Sequence, residues 1–493
     1  MLKKKESQRV YKMKKTVFIA TLFMFLSACL YLGGCSNNSK TTAVPTAEIT
    51  ETPPVLTDTP QPTATPLPSL NSVARIELTT SDKKGIDTRD FWKKGTLRVG
   101  TWDSVKEQFS EMTEYECEYK GRGNSTWNYK KKPFTVKFPE KVPLLGLEKG
   151  KKFCFVANWL DRSAIRNSVT YYIANLFTAL NYSDEYLNTG WKWSPSCDYA
   201  DVYIDGQYAG IYLIADKIQI AGNRLELVEQ NEEGTLPITE RGLLFEMSTD
   251  GRNWETSEYL DRIKNSKGFI PYNVKEPDYL EDLTPAEQQQ VRDFIDEVED
   301  IIFAPKSDAA WEKICETLDI TSFADFWIVQ ALASNGEPEH PKSIFMYKNN
   351  DSPDLDAKNA DANGGKLYAG PVWDFDWGTY GVYAAGLEFP TDTFYYGALF
   401  EYEEFRKKVA ERFELIKPAL TDDVPRYIDE LTEKIAPSIA TDDRLYPWRT
   451  RSGNRVNYDS FYAYSTSIVQ FKSYLRQRVT AVEKQITKLN AGK

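Results

Sequence analysis

The sequence predicts an α+β fold with a strand-rich first lobe and a helix-rich second lobe. From residue 73 to about 247, apolar residues form short runs of the kind found in strands, whereas beyond residue 280 they recur every three or four positions. Turn signals such as Asp205-Gly206 fall in the first part, and a helix N-cap signal at Thr284-Pro285 opens the second. The chain has 493 residues, enough for two lobes, which we assign to 72–280 and 281–493.

The first 35 residues have the pattern of an export signal. Lysines between positions 3 and 15 precede an apolar run over 16–32, which ends in the sequence LGGC at Cys35. This ending resembles a bacterial lipobox, whose cysteine receives a diacylglycerol anchor. We therefore expect residues 1–35 to be a lipoprotein signal peptide and the protein to be lipid-anchored at the bacterial cell surface, outside the cytoplasmic membrane. An uncleaved membrane anchor is the alternative.

Composition narrows the possible functions of the rest. Residues 36–71 are rich in Thr and Pro and lack apolar residues to bury, which predicts a disordered tether. The net charge of −11 argues against non-specific binding of nucleic acid, which needs a basic surface. The chain has one histidine, His340, so it cannot build a three-histidine zinc site.

Two local patterns predict elements of the first lobe. Residues 201–208 (DVYIDGQY) place Asp205-Gly206 between apolar runs, which predicts a two-residue hairpin. Apolar residues between 165 and 177 recur at three- and four-residue intervals and predict one helix that packs on the sheet.

The second lobe is predicted from helical periodicity. A capping box at Thr284-Pro285-Ala286-Glu287 opens a helix that continues to Ile302. Further helices are predicted over 322–333, 401–415 and 458–489. Strand-like stretches over 343–348 and 367–374 lie between them.

A basic segment over 122–152 is a candidate anion site. It carries Arg122, Lys132 and Lys137 with six further basic residues, in an otherwise acidic protein. The glycines of the sequence GRGNSTW over 121–127 let backbone amides approach a phosphate, although the segment lacks a P-loop pattern. A solvated basic hairpin is the alternative interpretation.

Acidic residues in the second lobe are candidates for metal binding and catalysis. Asp374 and Asp376 are two positions apart, which on a strand would place both carboxylates on one face, roughly 7 Å apart at Cα. Such a pair suits a hard cation, a glycosidase carboxylate pair or hydrogen-bonded turn carboxylates. The loop over 335–342, which contains Glu337 and Glu339, either positions reactive side chains or is an ordinary connector.

Several motifs in order resemble the CotH kinase family, named for spore coat protein H. The motifs are residues 122–127 (RGNSTW), 131–133 (KKP), 157–162 (ANWLDR), Arg166-Asn167, 203–212 and 373–376 (WDFD). The resemblance covers about 72–480. It implies a divergent two-lobed kinase-like fold that uses ATP and Mg²⁺, with Mn²⁺ as a substitute, to phosphorylate serines of a partner protein whose identity stays open.

The same resemblance suggests roles for individual residues. It makes Asp374 and Asp376 the metal ligands, and it places Arg122 and Lys137, with Lys132 as the next candidate, toward the phosphates. The sequence departs from the family where many relatives have Asn-x-Asp, because this chain has Asn335-Gly336-Glu337. We therefore expect Glu337 to be the catalytic base, with Glu339 as its rival.

Two other functions stay open at this point. The altered catalytic loop and the scarcity of ATP outside the cell favour a catalytically weak, kinase-like surface scaffold. Its 12 Trp and 29 Tyr would hold cell-wall glycan or a partner protein. A glycan hydrolase that uses Asp374 and Asp376 is the third possibility.

Overall fold

The computed structural model describes residues 72–491 except 104, 182–192, 223, 226, 248–261, 266–267, 277–281, 340, 349–364, 382–383 and 449–462. The predictions made for the signal peptide, Cys35, the tether and His340 lie outside these residues. No helix in the described part of the chain combines the length and the apolar character needed to cross a membrane.

The described residues of the first part of the chain, up to Asp216, form nine strands. They are β1 (Ala74–Thr80), β2 (Lys93–Gly100), β3 (Trp102–Asp103), β4 (Gln108–Phe109), β5 (Thr113–Gly121), β6 (Phe134–Val142), β7 (Gly150–Val156), β8 (Cys197–Ile204) and β9 (Gln207–Asp216). Strands β3 and β4 form a separate ribbon, and the other seven close into a barrel in the order β1-β2-β5-β6-β7-β9-β8. The predicted hairpin joins β8 to β9, and Asp205 and Gly206 both adopt positive φ in its turn.

Parallel pairing of β1 with β8 closes the barrel, with Ala74 opposite Ala200. Its interior is apolar because alternate residues of each strand point inward. The buried interior residues include Ile76, Leu97, Phe134, Val136, Phe153, Phe155, Val202 and Ile214.

The outer face of the barrel packs on the main core of the protein. Helix α1 (Arg166–Asn181) follows β7 and confirms the helix predicted over 165–177. Ile165, which directly precedes the helix, and Val169 within it join Leu213 and Ala215 of β9 in one apolar cluster. This cluster continues into the helices of the second part.

A second sheet takes strands from both halves of the chain. Its strands are β10 (Leu243–Met247), β11 (Arg262–Asn265), β12 (Gly268–Glu276), β13 (Ile344–Lys348) and β14 (Leu367–Ala369), in the order β11-β12-β10-β13-β14. The α+β prediction is confirmed, but the expected two-lobed kinase layout is not clearly present. The strands divide between a closed barrel and this second sheet, and the main core takes residues from the outer face of the barrel and from the second sheet.

Helices dominate the rest of the described chain. They are α2 (Pro285–Ile302), α3 (Asp308–Thr317), α4 (Ile320–Ala333), α5 (Tyr396–Leu399), α6 (Glu403–Thr421), α7 (Asp423–Leu445) and α8 (Tyr464–Asn490). The capping box predicted at Thr284 and Glu287 is present at the start of α2. Helices α4, α6 and α8 match the helices predicted over 322–333, 401–415 and 458–489, with 458–462 outside the described residues. The sequence analysis missed α3, α5 and α7.

Helix α7 is tied to the barrel by buried charges. Lys131, just before β6, forms an ion pair with Asp442 of α7 at 2.8 Å, and both side chains are almost fully buried. Arg162 forms a bidentate pair with Asp443 at 2.8 and 3.1 Å. Removing one partner of such a buried pair leaves an uncompensated charge, so these contacts fix the helix against the barrel.

Candidate functional site

The two predicted metal ligands lie in a loop rather than on a strand. Strand β14 ends at Ala369, five residues before Asp374. Asp374 adopts the left-handed conformation with φ of 70°, and its exposed carboxylate accepts a hydrogen bond from Ser343 Oγ at 3.2 Å. Asp376 is buried. The expectation that a strand places both side chains on one face is therefore wrong, because the backbone turns at Asp374.

The loop nevertheless brings the two carboxyl groups together. Asp374 acts on Asp376 through its charge and through a side-chain hydrogen bond, so the two carboxyl groups lie side by side. Burial and the charges of Asp374 and Asp161 hold the pKa of Asp376 well above its usual range, while Arg166 opposes the shift. A nearby cation favours the ionised form of a buried carboxyl group, so positive charge bound beside Asp376 would oppose this shift.

Asn167 fixes the position of this loop. It lies in the first turn of α1, is buried, and its Oδ1 accepts a hydrogen bond from the Phe375 amide at 2.7 Å. Its Nδ2 donates to Asn158 Oδ1 at 3.1 Å, and Asn158 itself adopts a positive φ of 46°. The backbone between the two aspartates is thus held by a helix terminus.

Asp161 organises the start of the same helix. Its carboxylate accepts hydrogen bonds from the amide of Arg166 at 2.9 Å and from the amide and hydroxyl of Ser163 at 2.9 and 2.6 Å. It also pairs with Arg166 at 3.3 Å. The sequence analysis used Asp161 and Asn167 only as motif residues. Their hydrogen bonds to α1 and to residues 373–376, which we call the acidic loop, become visible only in the fold.

Arg122 lies beside the acidic loop. Its guanidinium is 5.0 Å from the centre of the Trp373 ring, and that ring stacks on Tyr171 at 5.7 Å. Burial and the charge of Asp374 hold the pKa of Tyr171 well above its usual range, and Arg122 opposes this shift. The structure therefore brings the predicted phosphate-binding arginine next to one of the predicted metal ligands.

The glycine-containing loop after β5 also reaches the acidic loop. Tyr129 stacks on Trp159 at 5.6 Å, and burial and the charge of Asp376 raise the pKa of Tyr129. Lys132 Nζ donates to the Trp127 carbonyl oxygen at 2.5 Å and lies over the Trp127 ring. Lys132 thus braces the loop from within and does not point to the aspartates.

The structure gives the other two lysines of this region different surroundings. Lys137 lies on the outer face of β6 and pairs with Glu118 at 2.8 Å. Lys131, which the sequence analysis treated only as a motif residue, is the buried partner of Asp442.

Glu337 and Glu339 share a short 3₁₀ turn after α4. The Glu337 amide donates to Asn335 Oδ1 at 3.1 Å, and the Asn335 side chain is fixed by Gln330. Burial and the charge of Asp374 raise the pKa of Glu337 to about 7, and Lys342 opposes this shift. Asp374 and Asp376 are together called the acidic pair, and the charge of Asp374 therefore acts on the Glu337 carboxyl group.

The donor atoms at this site suit a small hard cation. Within the described residues, no group of three His, Cys, Asp or Glu side chains is placed to hold a metal ion by itself. Mg²⁺ is commonly held by one or two carboxylates together with phosphate oxygens and waters, which is what Asp374 and Asp376 offer. The raised pKa of Asp376 marks a place where added positive charge is favourable.

Comparison with known proteins identifies one family. The family model described as CotH kinase protein matches residues 119–482, well over half of the chain. This span includes Arg122, Asn167, Glu337 and both aspartates of the acidic loop. A search of the curated proteins finds no significant match.

Proposed function

The chain belongs to the CotH kinase family, and from this premise we propose that it is an ATP- and metal-dependent phosphotransferase. The proposed reaction transfers the terminal phosphoryl group of ATP to a serine hydroxyl of a partner protein. The observation that carries the proposal is the close approach of the Asp374 and Asp376 carboxyl groups, on a loop that Asn167 holds at the start of α1. Phosphoryl transfer depends mainly on positioning and on neutralising charge, which such a pair is suited to organise.

Asp374 and Asp376 would hold Mg²⁺, or Mn²⁺ in its place. The metal supplies positive charge that neutralises the phosphate oxygens during transfer. The contribution of the protein is geometric, because Asn167 fixes the Phe375 amide between the two ligands. Exposure of Asp374 leaves one side of the pair open to a nucleotide.

Arg122 is the best-placed cation for the phosphates. It is half-buried and stacked over Trp373, so its position is set before a nucleotide arrives. Lys132 supports the neighbouring loop through Trp127. Lys137 stays a predicted phosphate contact, which would have to share its ammonium with Glu118.

Glu337 is proposed as the base that orients the serine hydroxyl. A pKa of about 7 leaves about half of the Glu337 carboxyl groups ionised at neutral pH, which suits a group that accepts a proton during transfer. Its charge is coupled to Asp374, whereas Glu339, the rival, is two residues further along the same turn.

Transfer of labelled phosphate from ATP to the protein itself or to a casein-like acceptor tests this proposal. With Mg²⁺ or Mn²⁺, the wild type is expected to transfer phosphate and Asp374→Asn to fall to background. Glu337→Gln is expected to slow transfer at least about tenfold, while the matched variant Glu339→Gln keeps most of it. Transfer that survives Asp374→Asn would refute the metal assignment. A wild type that neither transfers phosphate nor binds ATP would favour the scaffold that holds glycan or a partner protein.

We also propose a cell-surface location for this activity. Cys35 would carry a diacylglycerol anchor, and residues 36–71 would tether the folded part to the outer side of the cytoplasmic membrane. The partner protein would then be another surface protein, and the acidic net charge of −11 argues against a nucleic acid partner.

A further inference from the structure

Four lysines meet on the outer face of the barrel, and we call them the lysine patch. Cys117 and Tyr119 of β5, Val136 and Phe138 of β6, and Phe153 and Phe155 of β7 all point into the barrel. Because side chains alternate along a strand, the residues between them point outward. The lysine patch consists of Lys120, Lys137, Lys152 and Lys217, the last of which directly follows β9.

Strand register places these ammonium groups close together. Lys137 lies directly opposite Lys152 in the β6–β7 pairing. Like charges at such opposed positions are destabilising, since the Cβ atoms are about 5 Å apart. Lys217 is close enough to lower the pKa of both Lys120 and Lys152, although burial is the larger cause for each.

The patch keeps an excess of positive charge. Lys137 pairs with Glu118 at 2.8 Å and Lys217 with Glu276 at 3.3 Å. Among the residues that the structure describes, Lys120 and Lys152 form no ion pair. The four ammonium groups thus outnumber the carboxylates around them on this half-buried surface, which are Glu118, Glu276 and Asp90, the last acting on Lys120 by its charge.

Four other lysines of the basic segment over 122–152 belong to an ordinary solvated surface. Lys130, Lys141, Lys149 and Lys151 are exposed, whereas all four members of the lysine patch are half-buried. A basic surface selected only for solubility would spread and expose its charges. Holding four lysines together at a cost is expected where an anion neutralises them.

An aromatic ring and a small cavity adjoin the lysine patch. The centre of the Trp92 ring lies 4.9 Å from Lys120 Nζ and 5.5 Å from Lys137 Nζ. Cation–π contact with this ring holds two of the ammonium groups in place. At the other end, Lys217 lines a small cavity with Ser194 and Gln219. Ser194 Oγ and Gln219 Oε1 are buried there with no hydrogen-bond partner among the described residues, as expected for groups that meet a ligand or water.

We propose that the lysine patch binds a phosphate-bearing anion. This site is distinct from the acidic pair and does not depend on phosphoryl transfer. The same chemistry can come from two sources, the phosphate chain of a nucleotide held at Asp374 or a separate phosphate anion. Lys120 is the second-last residue of β5 and Arg122 directly follows the end of that strand, so the patch adjoins the phosphate end proposed for ATP.

Calorimetric titration of the full-length protein tests the site with two probes, inorganic pyrophosphate without metal and ATP with Mg²⁺. Pyrophosphate is expected to bind the wild type. Lys120→Gln and Lys152→Gln are each expected to weaken it about tenfold or more, because each removes an unpaired charge. Lys152→Arg keeps the charge and is expected to restore binding, which excludes misfolding as the cause. The matched control Lys149→Gln, in an exposed position, is expected to change nothing.

These measurements also distinguish anion binding at the lysine patch from the proposed phosphoryl transfer. Asp374→Asn is expected to leave pyrophosphate binding intact, so a protein that transfers no phosphate can still confirm the lysine patch. A loss of ATP affinity in Lys152→Gln would identify the nucleotide as the source, and unchanged ATP affinity would identify a separate phosphate anion. The proposal is overturned if the wild type does not bind pyrophosphate, or if Lys149→Gln weakens it as much as Lys152→Gln.

Discussion

Replacing Glu337 by Gln is expected to change how the stability of the protein depends on pH. The pKa of Glu337 is raised from its ordinary value of 4.5 to about 7 because burial and Asp374 disfavour its ionised form. Between these two values the folded state binds the proton more tightly than the unfolded state does. The free energy of unfolding of the wild type therefore falls as pH rises from 4.5 to about 7.

The size of this effect follows from the shift. A difference of about 2.5 pKa units corresponds to roughly 3 kcal/mol, and partial solvent access of Glu337 reduces the expected loss to about 1–3 kcal/mol. Glu337→Gln cannot ionise, so it keeps this stability at alkaline pH. The variant is thus expected to gain about 1–3 kcal/mol over the wild type between about pH 4 and about pH 8.

Urea unfolding of both proteins at these two pH values measures the difference directly. Asp374→Asn serves as a second arm, because it removes the second cause of the shift and is expected to flatten the slope of the wild type. Mg²⁺ bound at the acidic pair is expected to flatten the slope in the same way. A stability difference between wild type and Glu337→Gln that is equal at both pH values would refute the reasoning.

Three further predictions concern other parts of the molecule. Lys131→Met leaves Asp442 buried without its cation. Urea unfolding is expected to show a loss of about 3–5 kcal/mol in the free energy of unfolding, and a loss below about 1 kcal/mol would contradict the view that this ion pair fixes α7 to the barrel. Arg122→Ala is expected to weaken binding of ATP with Mg²⁺ about tenfold in calorimetry with an unchanged melting temperature, and unchanged affinity would exclude the phosphate contact. Cys35→Ala is expected to move the protein out of the membrane fraction, and an unchanged N-terminal mass would argue against lipidation.

Local signals in the sequence predicted local structure well. The hairpin at Asp205-Gly206 and the capping box at Thr284 depend on residues a few positions apart, and both are present. Closure of the barrel depends on parallel pairing of Ala74 with Ala200, which no local pattern reports. Pairing between strands so distant in sequence is decided by the packing of the whole core.

In the candidate site, too, the sequence predicted which residues matter but not how they are arranged. The sequence singled out Asp374, Asp376 and Glu337 by residue type, and the fold brings their charges within reach of one another. It could not predict that Asp374 takes a left-handed conformation, because that turn is held by Asn167 from a distant helix. Choosing among adjacent lysines also needs the fold, since Lys131 and Lys132 point to different partners.

The lysine patch could not be predicted from the sequence either. Lys120 and Lys217 are far apart in sequence, and they meet only because β5 and β9 lie on one side of the same barrel. A search for runs of basic residues finds 122–152 and passes over both of them.

The central claim is that Asp374 and Asp376 hold a metal that binds ATP, and a thermal shift of the full-length protein tests it most directly. A ligand that binds only the folded state raises the melting temperature by mass action. The account predicts a larger rise with ATP and Mg²⁺ together than with either alone in the wild type, and loss of this extra rise in Asp374→Asn. An equal response of the two proteins, or no rise in the wild type with ATP and Mg²⁺, would contradict it.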